Sequence, residues 1–302
     1  MLDTFSLIFP LMFVACVGFV CARSAILSHA QLAGVSRFVF YICIPAFLFQ
    51  NMLGAKLTNL ISIKLFAGFY IPVIAVYLTV LLLLRGALKD WAKSAVLALG
   101  ASYSNTVLIG LPIAVQVLGK EIAASIFVII TFHSAILFIL TYAFCGRSHN
   151  LHWRSTVRQL LINPVILPIS LGVVANVSGL TLVDALDNGL SLLAQPAIAG
   201  ALFVLGANLH HYKLKSGLNV ALLLTLVKLL ILPSAVYLFS RYGLGLAQEQ
   251  LLLLVLLSAA PLGVNAYLVA KELNTQNDIL ASTVVLSTLL SAVSYLLWLN
   301  VV

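Results

Sequence analysis

Long apolar runs, separated by short polar stretches, fill almost the whole chain. A run of about twenty residues, coiled as a helix, matches the hydrocarbon thickness of a bilayer. The pattern predicts ten spans, at 4–22, 34–54, 62–84, 92–116, 121–143, 161–178, 186–209, 216–240, 249–271 and 278–300. The connections are short and leave no room for a soluble domain. The fold class read from this is an all-α integral membrane protein.

Two of the ten spans are interrupted near their centres. The fourth carries Ser102, Tyr103, Ser104, Asn105 and Thr106, followed by Gly110 and Pro112. The ninth carries Ser258, Pro261, Gly263 and Asn265. A broken helix in lipid leaves backbone N–H and C=O groups unpaired, at several kcal/mol each, unless they face protein or a water-filled cavity. Two such breaks in corresponding places of the two halves are the usual sequence sign of a transporter's binding site.

The halves also match each other. A shift of 154 residues lays Leu7, Ile8, Pro10 and Gly18 on Leu161, Ile162, Pro164 and Gly172. A shift of 151 lays Pro45 and Ala46 of the second span on Pro196 and Ala197 of the seventh. Five spans per half is an odd number, so the second copy is flipped in the membrane, which is an inverted repeat. The expected organisation is a first five-helix repeat at 1–143, a cytoplasmic connector at 144–160 and a second repeat at 161–302.

Composition agrees with the spans. Of 302 residues, 63% are apolar and 8% charged, against roughly 25% charged in a soluble domain. The net charge of +8 does not call for a nucleic-acid partner, because its distribution is topological. Arg23, Arg37, Arg85, Lys89, Lys93, Arg147, Arg154, Arg158, Lys213, Lys215 and Lys271 fall at odd-numbered loops. Only Lys56, Lys64, Lys120 and Arg241 fall at even ones. The positive-inside rule then places the odd loops in the cytoplasm and both termini on the outer side of a cell (inner) membrane. The start, Met1 to Thr4, lacks a basic segment, so the first span reads as a retained helix. Cys16, Cys21, Cys43 and Cys145 have no metal-ligand spacing and read as apolar packers.

Candidate chemistry gathers at the breaks. Asn105 is costly in lipid and must face protein or a cavity, either as an interhelical hydrogen bond or as a ligand-binding group. With Ser102, Ser104 and Thr106 beside it, and Gly110 and Pro112 following, the binding reading is preferred. Asn265 and Ser258, with Pro261 and Gly263, form the matching set. Crossing of the two breaks would bring half-helix N-termini together, and their dipoles favour an anion. His133 joins the substrate-binding candidates, as a hydrogen-bonding group or proton relay, although a lone membrane histidine more often serves a helix–helix contact. Lys228 lies mid-span, where a lysine needs a reason. It is either a counter-charge to a bound anion or, preferably, a plug on half-helix C-termini. Gln50, Asn51 and Gln195 are lower-ranked site-lining candidates. Asn176, Val177 and Ser178 form a glycosylation sequon at a span end.

All eight acidic residues fall at span ends or in loops, so no buried carboxylate is available for sodium or protons. No hydrolase or nucleotide-binding motif occurs, so no enzyme activity, metal or cofactor is expected.

Ten spans in two fives, Asn105 through Pro112, Lys228 with Pro233, and the block Ala260 to Tyr267 resemble the auxin efflux carrier family. That family includes bacterial malonate and malate permease-like members and the plant PIN-formed carriers. The resemblance covers essentially the whole chain. It implies a scaffold of spans one, two, six and seven, a transport unit of spans three to five and eight to ten, and crossing fourth and ninth helices. It also implies an organic anion as substrate and a homodimer through scaffold helices. The chain lacks the long hydrophilic loop of the plant carriers and an acidic residue between Ile63 and Leu84, so a small mono- or dicarboxylate is expected rather than auxin. The function expected is secondary transport by alternating access, electrogenic and insensitive to sodium. The alternatives are a passive anion channel or an ion-coupled carrier of the bile-acid symporter kind.

Overall fold

The structure is a computed structural model that describes residues 2–54, 63–119, 122–145, 164–211 and 217–302. Residues 146–160 of the expected connector lie outside the described residues, as do Leu161, Ile162, Lys56, Lys120, Lys213 and Lys215. Among the described residues every regular element is helical apart from one isolated β-bridge.

In chain order the helices are α1 (Leu2–Arg23), α2 (His29–Leu53), α3 (Ile63–Leu88), α4 (Trp91–Ser102), α5 (Thr106–Leu118), α6 (Ala123–Cys145), α7 (Ile166–Val177), α8 (Asp184–Ala194), α9 (Ala197–His211), α10 (Leu218–Gly243), α11 (Gln248–Ala259), α12 (Val264–Glu272) and α13 (Asn277–Val301). Among the described residues six stretches are long and apolar enough to cross a membrane: α2, α3, α6, α8 with α9, α10 and α13. They coincide with the second, third, fifth, seventh, eighth and tenth expected spans. The 22-residue α1 and the 12-residue α7 occupy the first and sixth. The fourth and ninth expected spans are each two short helices, α4 with α5 and α11 with α12.

The interior is an apolar core that also encloses a set of polar side chains, and the outer surface is apolar as well. Ser102, Ser104, Asn105, Thr106, His133, Lys228, Ser258 and Ser287 are buried, while Phe13, Tyr41, Leu83, Val174, Leu192, Leu223 and Leu289 are exposed. A water-soluble protein has little reason to present so large an apolar surface. A bilayer solvates that surface and penalises unpaired polar groups, which therefore turn inward.

Local sequence explains where helices start and bend. Ser28 and Gln31 form a reciprocal capping box at α2, with Gln31 N–H donating to Ser28 Oγ at 3.3 Å and Ser28 N–H to Gln31 Oε1 at 2.8 Å. Asp90 caps α4 by accepting from Lys93 N–H at 3.0 Å, and that bond holds its carboxyl below the usual carboxylate range. Three wide turns with i→i+5 bonds each end just before an X-Pro pair: Val39–Cys43 before Ile44 and Pro45, Thr106–Gly110 before Leu111 and Pro112, and Val227–Ile231 before Leu232 and Pro233. Proline lacks an N–H and crowds the carbonyl four residues back, and a widened turn relieves that crowding. Two of the carbonyls that a proline releases find side chains. Leu229 O, four residues before Pro233, accepts from Ser294 Oγ at 2.8 Å and Trp298 Nε1 at 3.2 Å. Gly68 O, four before Pro72, accepts from Ser240 Oγ at 3.2 Å.

Glycines set the closest helix crossings. A Cβ at Gly18 in α1 would strike the backbone of Phe203 in α9, and one at Gly206 in α9 would strike the backbone of Ala15. A Cβ at Gly172 in α7 would lie 2.6 Å from Met52 Cβ and 2.7 Å from Phe49 O in α2. Only small residues let backbones approach so closely. Polar side chains tie the same helices together. Gln50 Nε2 donates to Asp187 Oδ1 at 2.9 Å and Ser191 Oγ at 2.5 Å, joining α2 to α8. Asn176 Nδ2 donates to the C-terminal carbonyls of α2, Met52 O at 3.0 Å and Leu53 O at 2.6 Å. Asn51 bonds back to Phe47 O in its own helix, and Gln195 is exposed at the interruption between α8 and α9. The amide of Gln50 is thus engaged between α2 and α8, and that of Asn51 within α2.

Candidate functional site

Helix α4 stops because Tyr103 takes an extended conformation, and α11 stops because Ala260 does the same ahead of Pro261. The two extended segments lie against each other as a short antiparallel pair centred on Ser104 and Leu262. Asn105 N–H donates to Pro261 O at 2.8 Å, and Gly263 N–H donates to Tyr103 O at 3.2 Å. Exchanging 103, 104 and 105 with 261, 262 and 263 turns one bond into the other, so the pair has local two-fold symmetry. Each break supplies the partners the other lacks, which makes two interrupted helices tolerable at membrane depth.

The centre of each segment is held from a third helix. Ser104 N–H donates to His133 Nε2 of α6 at 2.9 Å. Leu262 N–H donates to Ser287 Oγ of α13 at 3.0 Å. A ring nitrogen that accepts carries no proton, so in the neutral ring the proton of His133 sits on Nδ1.

Asn105 has two roles in view. Its φ of −75° and ψ of 66°, with Thr106 N–H on Ser104 O at 2.8 Å, form an inverse γ-turn that redirects the chain into α5. Its Oδ1 then caps α5 by accepting from Leu108 N–H at 3.2 Å. The Nδ2 group is buried and finds no partner among the described residues. Ser104 Oγ and His133 Nδ1 are in the same condition.

Lys228 sits fully buried at the other end of the break, donating to Ser258 O at 2.6 Å and Ala260 O at 2.5 Å. These carbonyls end α11, where unsatisfied acceptors and the helix dipole both favour a cation. Both hydrogen bonds go to the ninth-span break alone.

The remaining candidates fall into place around this pair. Ser102 Oγ donates to Ala98 O at 2.8 Å and Ser258 Oγ to Val255 O at 2.9 Å, each folding back on its own helix. Thr106 is buried as the first residue of α5. Gly110 packs on α11, where an added Cβ would lie 3.1 Å from Leu257, and Pro112 sits in the first turn after the wide turn. Gly263 lies on the ring of Tyr103, which a Cβ there would strike. Asn265 is exposed and donates through Nδ2 to Tyr103 OH at 3.3 Å.

Tyr103, Ser134 and Ser287 lie beside these candidates and were not among the binding residues expected from the sequence. The hydroxyl of Tyr103 pairs with Ser134 Oγ at 2.7 Å, and its ring stacks on His133 with centroids 4.9 Å apart and on Phe138 at 5.1 Å. Its position between Ser102 and Ser104, inside a polar break, was the available signal. For Ser287 the signal was arithmetic, since it stands 154 residues after His133, the shift that lays Gly18 on Gly172.

At the breaks five acceptors are occupied, while three buried groups able to donate are left over. Tyr103 O, Pro261 O, Ser258 O, Ala260 O and Asn105 Oδ1 each receive a hydrogen bond. The amide of Asn105, the hydroxyl of Ser104 and the Nδ1–H of His133 remain. Such a surplus complements a ligand rich in acceptors.

Residues 3–154 and 147–299 match a family model described as "Membrane transport protein". A protein of Rhizobium meliloti (strain 1021), described as "Putative malonate transporter", is 24% identical over 300 residues, which cover 96% of this chain and 93% of that protein.

Proposed function

The chain belongs to the membrane transport protein family, the auxin efflux carrier family that its sequence resembles, and we propose that it is a secondary transporter of a small carboxylate. The transported anion binds at the paired breaks, and access to it alternates between the two sides of a cell (inner) membrane. The observation that carries this reading is the donor surplus beside Asn105. A carboxylate offers only acceptors, and Asn105 Nδ2, at the positive end of α5, is suited to receive one. The carbonyls of Ser258 and Ala260, the ones best placed to face a cation at the end of α11, already hold Lys228. The relative's description makes malonate the first substrate to try.

The architecture proposed is ten spans in two inverted repeats, with both termini outside, the domain limits expected above, and a homodimer through α1, α2 and α7 to α9. Helix packing supports the repeat. The shift of 154 carries Gly18 to Gly172 and the shift of 151 carries Met52 to Phe203. In the structure Gly18 meets Phe203 and Gly172 meets Met52, so the same contact recurs with its two sides exchanged. With no acidic residue at mid-span, the membrane potential is the proposed driving force, at about 2.3 kcal/mol per charge per 100 mV.

Counterflow in proteoliposomes tests the proposal. Unlabelled malonate inside should accelerate entry of labelled malonate, because only an alternating site is stimulated from the far side. A channel would show no such stimulation.

A further inference from the structure

His133 and Ser287 do the same job from opposite halves of the chain, and we propose that they are a matched pair of positioning residues. They clamp the two breaks into one unit that moves with α6 and α13. Ser104 and Leu262 face each other as the central pair of the β-bridge. Their N–H groups point away from the partner strand into the fold, one onto His133 Nε2 at 2.9 Å and the other onto Ser287 Oγ at 3.0 Å. Both acceptors are buried, His133 at 1% exposure and Ser287 at 0%.

Each acceptor is itself held. The imidazole is fixed by stacking on Tyr103 and by an edge contact with Phe69 of α3 at 5.6 Å. The Ser287 hydroxyl donates to Val284 O at 3.3 Å, which leaves a lone pair turned to Leu262. The two acceptors are separated by the shift of 154 that relates Gly18 to Gly172, and the two donors by 158, so corresponding spans of the two halves carry the clamp with a four-residue difference between donor and acceptor. The residue types differ, but the requirement is only a buried acceptor within reach. Without it a central N–H of the bridge has no partner in a region closed to water. Tyr103, Asn105 and Gly263 then lose the register that sets Asn105 Nδ2 and the Tyr103–Asn265 contact.

The functional part of this inference rests on the transport reading, and the clamp itself does not. Amide hydrogen exchange of the full chain in lipid nanodiscs reads the clamp directly, through segments 103–106 and 261–264. His133→Leu and Ser287→Ala should each speed exchange about tenfold, and in both segments, since one lost hydrogen bond opens a shared unit. His133→Gln, whose side-chain oxygen reaches the place of Nε2, should restore the native exchange. A residue that merely fills space would not be rescued by Gln, nor act on the far strand. Exchange that rises only in the variant's own segment, or in neither, overturns the proposal. A chain that carried no malonate would leave this result standing. If malonate is carried, its maximal rate should fall in the Leu and Ala variants and return in His133→Gln.

Discussion

The ammonium of Lys228 lies 2.5 Å from the carbonyl oxygen of Ala260, and both residues are fully buried. Helix α11 ends one residue earlier, and the charge closes it where no backbone N–H is available. A lysine at this depth is expensive by itself, and the two carbonyls, aided by the helix dipole, offset that expense.

Lys228→Met keeps the length of the side chain and removes its charge. The carbonyls of Ser258 and Ala260 lose their donor, while the burial penalty of the ammonium also disappears. The net loss expected is about 1–3 kcal/mol of stability. Denaturant unfolding in detergent measures it, and unchanged stability would mean the lysine serves the ligand rather than the helix end.

Gly206→Val forces α9 away from the backbone of Ala15 and should destabilise by roughly 1–3 kcal/mol, the usual penalty for overpacking. Gly189 in α8 has nothing within 4 Å of an added Cβ. Gly189→Ala is therefore expected to be neutral or to stabilise by about 0.5–1 kcal/mol through helix propensity. Thermal unfolding of the two variants side by side separates contact from propensity.

Asn176 supplies donors to the end of α2, so replacements should rank by what they offer those carbonyls. Asn176→Ala removes two hydrogen bonds and should destabilise by about 1–3 kcal/mol. Asn176→Asp should be worse, since it sets a negative charge against the negative end of a helix. The reverse order in unfolding experiments would contradict the capping role. The sequon at this position should also stay unglycosylated on expression in a glycosylating host, because the amide that would carry the sugar is packed against Met52 and Leu53.

The breaks were legible because Gly, Pro, Ser and Asn stand out in runs of Leu, Val and Ala. The six long helices were legible for the same reason. What fills a break is a matter of three dimensions. Asn105 and Pro261 are 156 residues apart, and nothing in either run names the other as its partner. Asn105 read as an interhelical bond or a ligand group, whereas its oxygen serves as a local cap. Gln50, at the end of the second span, read as a lower-ranked site-lining candidate. It has partners in Asp187 and Ser191, on a helix whose register against α2 is fixed only by packing. Lys228 was the most readable of the buried polar groups, because few environments at mid-depth accept a charge, and the end of a broken helix is one of them.

The central claim is that the free amide of Asn105 holds the carboxylate. Asn105→Asp isolates that role. An aspartate oxygen can still accept from Leu108 N–H and keep α5 capped, so folding and amount in the membrane should match the native chain. The donor, however, is replaced by an acceptor bearing negative charge. Malonate counterflow in proteoliposomes should fall by about 10–100-fold or more, the loss of one hydrogen bond to a charged group with repulsion added. Counterflow at the native rate in a properly folded Asn105→Asp protein would contradict the claim and leave Asn105 a helix cap.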